Sequence, residues 1–135
     1  MESLAIGIAG IFGVIGAGLG LGAMISPAWA AKLVRMQADP DNPDGHAEFR
    51  ATFGGVFFFL HIAFLLAVLL GQGVIGAAAV LCFGWGGAAF GRVLSLFLDG
   101  PAVRTRHNYV SVAVELVAAM AFALPVIVFV IHPPA

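Results

Sequence analysis

Four stretches of this chain are each long and apolar enough to cross a bilayer as a helix, and none carries a charge at its centre. A hydrocarbon core of about 30 Å takes roughly 20 helical residues. The runs from about Leu4 to Ile25, Ala51 to Leu70, Val74 to Phe97 and Tyr109 to Ile131 meet that length. Of the 135 residues 61% are hydrophobic and 10% charged, whereas a soluble domain gives about a quarter of its residues to charge in order to cover its surface. The missing charge is accounted for by a missing aqueous surface. The expected fold is all-α: a polytopic membrane protein, one domain over residues 1–135, with four transmembrane helices in an antiparallel bundle.

The segments between the runs read as loops. Ser26 to Arg50 is rich in proline, aspartate and charge, Gly71-Gln72-Gly73 is a tight turn, and Leu98 to Asn108 contains Asp99-Gly100-Pro101. Every lysine and arginine lies in or beside the first and third loops: Lys32, Arg35 and Arg50 in one case, Arg92, Arg104 and Arg106 in the other. The opposite side offers only Glu2, Gln72 and His132. Basic loops face the cytoplasm, so both termini are expected on the non-cytoplasmic side. Ala28-Trp29-Ala30 has the form of a signal-peptide cleavage site, but Glu2 replaces the usual positive charge and the apolar run exceeds the roughly 7 to 15 residues of such a signal. The first span is therefore expected to remain. In residues 27–38, Trp29, Leu33 and Met36 recur at helical spacing beside Lys32 and Arg35, the pattern of a short interfacial helix at the headgroups.

Several function classes drop out. A net charge of -1 with no basic run offers no phosphate-neutralising stripe, so no nucleic-acid partner is expected. Cys82 is the only cysteine and lies in an apolar run, which reads as a small buried hydrophobe. The string from Asp39 to Gly45 hints at a calcium loop, yet Pro43 occupies a ligand position and Arg50 stands where the bidentate glutamate belongs. No metal site, phosphate loop or nucleophile-base set stands out, and no catalytic residue is expected.

What remains is a handful of polar residues at membrane depth. An ionisable group there costs roughly 2.5 to 3.5 kcal/mol on insertion scales, so each needs a partner, a route to the interface or a use. Arg92 and Glu115 lie similar distances from the loop that joins the third and fourth spans. Antiparallel neighbours would bring them level, which predicts an ion pair. Arg50, at the mouth of the second span, is placed to join them through Glu48 or Asp99. His61 stands near the middle of the second span, beyond reach of either interface. It is either a packed imidazole hydrogen-bonded to a carbonyl or hydroxyl, or a ligand-contacting or proton-relaying group in a pocket lined by Phe57, Phe58, Phe59, Trp85 and Arg92. The other histidines lie in loops or at ends, so haem ligation is not expected.

The first span carries glycines at positions 7, 10, 13, 16, 18, 20 and 22, some of them four apart. Small residues at that spacing let membrane helices approach closely, so Gly7, Gly10, Gly13, Gly16 and Gly20 form a candidate helix-packing interface, within the chain or against a partner. Pro125 interrupts the fourth span and frees a carbonyl one turn earlier, which predicts a kink.

Arg50-Ala-Thr-Phe-Gly54-Gly55 at the start of the second span, Gly91-Arg92-Val-Leu-Ser95-Leu-Phe-Leu-Asp99-Gly100-Pro101 at the end of the third, and Glu115 in the fourth together resemble the DUF4345 family of small four-helix bacterial membrane proteins. The resemblance implies a four-helix bundle in the bacterial cytoplasmic membrane and draws attention to Arg50, Arg92, Asp99 and Glu115; it implies no reaction. The leading expectation is a non-catalytic accessory subunit that packs against a larger membrane complex or another copy of itself, with no cofactor. Two alternatives stand beside it: a binding module for a lipid, quinone or other hydrophobic small molecule, and a small proton-coupled transporter using His61 and Glu115.

Overall fold

The computed structural model describes residues 1–37 and 44–133, so residue 38 and most of the acidic string from Asp39 onward lie outside the described residues. Helix α1 spans Glu2–Ile25 and α2 Pro27–Val34; α3 (Asp44–Glu48) leads through a π-helical segment, Phe49–Val56, into α4 (Phe57–Leu70). Helix α5 spans Val74–Leu98, a 3₁₀ turn covers Pro101–Val103, and α6 spans Arg106–Ile131. Because α3, the π-helical segment and α4 are continuous, the described residues contain four helices long and apolar enough to cross a membrane. Among them there is no strand.

The second long helix is already formed at Asp44, well before the expected Ala51. Hydropathy marks what lipid will accept, whereas a helix continues wherever its backbone bonds close. The first loop is accordingly partly helical at both ends, in α2 and α3. At the far end of α4, Gly71 and Gly73 adopt φ of 66° and 70°, a left-handed conformation that glycine enters without a Cβ clash. That permits the turn into α5.

The chain divides into two compact units, residues 13–70 and residues 1–12 with 71–135. In the first unit, α1 and α4 run antiparallel in close contact. A Cβ on Gly13 would lie 3.0 Å from Phe64 and Leu65, and one on Gly20 would lie 2.5 Å from the Phe58 backbone nitrogen. A Cβ on Gly54 would in turn lie 2.9 Å from the Met24 nitrogen. Backbone therefore approaches backbone at both ends of the contact, which only glycine allows. Helix α2 begins with Ser26 as N-cap, its hydroxyl accepting from the Trp29 N–H at 3.4 Å, and with Pro27 in the first turn. The inner face of α2 packs Ala30, Ala31 and Val34 with Ala23 and Phe49.

In the second unit α5 and α6 form a long antiparallel hairpin. Its buried side chains are mostly alanines, Ala78 and Ala89 from α5 and Ala118, Ala119 and Ala121 from α6, with Phe122 fully enclosed. Helix α6 runs unbroken through a buried Pro125. The large apolar side chains point outward instead: Phe83 is 81% exposed and Leu98 76%. A water-soluble fold would place these inside. With small residues within and large apolar ones outside, the chain is a membrane-type helical protein.

Candidate functional site

The charged site sits toward the loop end of the α5–α6 hairpin. The Arg92 guanidinium meets the Glu115 carboxylate side-on: Nε lies 3.1 and 3.2 Å from the two carboxylate oxygens and Nη2 lies 2.8 Å from Oε1. Such forked contacts are stronger and more directional than a single bond. The third nitrogen, Nη1, donates to Asn108 Oδ1 at 3.3 Å, and the Asn108 amide nitrogen donates to the Val103 carbonyl at 2.6 Å. Asn108 is held in turn by its backbone N–H, which donates to the hydroxyl of the α6 N-cap, Thr105. On the same loop Arg104 Nε donates at 3.0 Å to the Leu96 carbonyl, one of the four that the end of α5 leaves without helical partners. The Glu115 side chain is 10% exposed and that of Arg92 31%, so the carboxylate is enclosed and the guanidinium retains an open edge.

Arg50 takes a different partner from the one expected. Among the described residues it forms no ion pair with Glu48; its Nη1 donates to the Met24 carbonyl at the end of α1. The π-helical segment carries this side chain, and within it the Thr52 hydroxyl donates to the Glu48 carbonyl at 2.6 Å. Side-chain bonding of that kind into the helical ladder, and the Gly54-Gly55 pair, are features that bend helices, and here they accompany a widened turn.

His61 is 1% exposed. Its Nδ1 lies 2.7 Å from the Phe57 carbonyl one turn earlier, and since a carbonyl only accepts, Nδ1 carries the proton in this contact. The ring lies 4.4 Å from that of Phe57, tilted by 51°, and its other edge fills the space left by Gly16. Among the aromatics grouped with it in the sequence, Phe58 stands edge-on to Phe59 at 5.1 Å and Phe59 is exposed. Trp85 lies on α5, in the unit that holds Arg92 and Glu115. Among the described residues no three His, Cys, Asp or Glu side chains gather in a metal-holding group.

A domain of unknown function, DUF4345, matches residues 5–125, nearly the whole chain. The protein belongs to the DUF4345 family. Neither curated proteins nor solved structures gave a match. The region of this DUF4345 chain that matches includes Arg50, His61, Arg92, Asp99 and Glu115.

Of the residues singled out from the sequence, the DUF4345 fold brings Arg92 onto Glu115 and His61 onto Gly16. The glycine row of α1 separates into two sets. Gly13, Gly16 and Gly20 lie against α4, whereas Gly7, Gly10 and Gly18 have none of the described residues within 4 Å of where a Cβ would stand. Two participants were missed. Asn108 reads as a loop residue, although its place one turn above Thr105 at the start of α6 was a usable signal. The Met24 carbonyl carries no signal, because any residue supplies one.

Proposed function

We propose that this DUF4345 protein is a non-catalytic subunit of the bacterial cytoplasmic membrane. In this reading its helices form an antiparallel four-helix bundle with both termini on the non-cytoplasmic side and α2 in the headgroup layer. The exposed side of α1 docks against a larger membrane complex or a second copy of the chain. The observation that carries it is the division of the α1 glycines. Gly7 and Gly18 fall on one helical face with Ile11, Val14, Leu21 and Ile25, all of them exposed, and among the described residues neither glycine has a neighbour in the space a side chain would take. A helix can approach such a face more closely than lipid chains alone require. The engagement of Arg92, Glu115, Arg50 and His61 in hydrogen bonds within the fold further supports a structural use of these groups.

The test is gentle purification from native membranes followed by mass spectrometry of intact particles, comparing wild type with Gly7→Leu/Gly18→Leu. A stoichiometric partner or second copy, retained by wild type and released by the variant, is expected. Recovery of a lone chain carrying a defined hydrophobic molecule would replace this reading with that of a small-molecule binding module. Gly16 and Gly20 are unsuitable for the experiment, since leucine there would collide with His61 and the Phe58 backbone and disrupt the fold itself.

A further inference from the structure

The outer face of α2 and the turn that ends it present two cations beside three apolar anchors. Trp29, Leu33 and Met36 are 43%, 48% and 55% exposed, and Lys32 and Arg35 are exposed with them. The inner face is already occupied by the Ala23, Ala30 and Phe49 cluster, so the orientation of the helix about its axis is fixed by its own unit. Trp29 also lies over Gly22, at 2.8 Å from where a Cβ would stand, which ties the indole to the end of a membrane-length helix. No carboxylate occurs between Pro27 and Gln37, and neither cation pairs with one among the described residues. Arg35 is the only described non-glycine residue with positive φ, 56°, at the position where helices ordinarily end on glycine. Its turn is closed by the Met36 N–H donating to the Ala31 carbonyl at 2.9 Å. A cation thus occupies a site where glycine would fit with less strain.

We propose that Lys32 and Arg35 bind the phosphate of an anionic phospholipid, with Trp29, Leu33 and Met36 seated among the acyl chains beneath it. The occupant is argued from charge: two cations on an apolar rim, neither paired with a carboxylate among the described residues, complement an anionic headgroup. This proposal rests on α2 lying at the headgroups. Juxtamembrane cations contribute about a fivefold preference for anionic lipid each, screened by salt, so both together should give roughly a twenty-five-fold preference.

The experiment reconstitutes the full chain in phosphatidylcholine with and without phosphatidylglycerol. It reads retained phosphatidylglycerol by mass spectrometry of the intact protein, and Trp29 depth by brominated-lipid quenching in a Trp85→Phe background. Shallow Trp29 quenching is expected, together with a preference that falls more than tenfold in Lys32→Gln/Arg35→Gly and persists in Arg104→Gln/Arg106→Gln. Because Arg35→Gly relieves the left-handed residue, the single variant should melt no lower than wild type, which separates loss of lipid from loss of fold. A preference unchanged in the α2 variant, or lost equally in the Arg104/Arg106 variant, would overturn the proposal while leaving α2 at the interface. Deep or absent Trp29 quenching would overturn the interfacial placement and the proposal with it.

Discussion

Where Gly20 meets Phe58, two helices are joined by having nothing between them; where Arg92 meets Glu115, two helices are joined by long charged side chains that reach across. Both solutions answer the same difficulty. Lipid tails are as apolar as leucine, so apolar burial gives membrane helices little reason to choose each other over solvent lipid. Close backbone contact gains dispersion energy and tolerates no added atom. A forked ion pair gains direction, fixes axial register, and accommodates some change at its open edge.

That difference is sharpest at Gly20. Leucine there would collide with Phe58 backbone atoms, which cannot rotate aside. Gly20→Leu is expected to lose about 3 kcal/mol or more of stability, measured by unfolding in mixed micelles; a loss below about 1 kcal/mol would mean that α1 and α4 are not in backbone contact. Breaking the charged link comes next. Arg92→Ala leaves an enclosed carboxylate without its cation, and because Arg92 is itself partly open we expect about 2 kcal/mol, below the range of fully buried pairs. A double-mutant cycle with Glu115→Gln should return a coupling of about 1 kcal/mol or more; additive losses would refute the pair.

Asn108→Ala should cost about 1 kcal/mol, the worth of a part-buried polar contact, and should lower the coupling measured between Arg92 and Glu115. Unchanged coupling would show that Asn108 is only an N-terminal helix residue. At the small end, Gly7→Ala places a methyl in open space on a helix, so it should leave stability unchanged or raise it by up to about 1 kcal/mol. The same substitution at Gly13 must push Phe64 and Leu65 aside and should destabilise. Equal effects at the two positions would erase the division of the glycine row.

The sequence carried the transmembrane plan because hydropathy over bilayer length is a property of composition and needs no neighbour to interpret it. Arg92 and Glu115 were legible for a related reason: a short connection between antiparallel helices makes residues equidistant from the loop into neighbours. Other features depend on partners with no residue-type signature. Arg50 found a main-chain oxygen at Met24 instead of a carboxylate. The glycines could be seen, but which of them α4 would cover is decided by the rotation of α1 about its axis, and a row with glycine on several faces leaves that rotation open. The widened turn at Phe49–Val56 was invisible, since the residues that form it also form an ordinary helix.

That turn makes one part of the chain unusually forgiving of shortening. Removing a single residue from an α-helix swings everything beyond it by about 100°, and within Phe57–Leu70 that would carry His61 and Phe64 away from the α1 glycines. A π-helical loop already holds one residue more than the α-helical loop it replaces. Deleting one residue between Phe49 and Val56 is therefore expected to shift the Arg50 and Gly54 contacts with Met24 while the loop tightens, and to leave His61 and Phe64 seated on the α1 glycines.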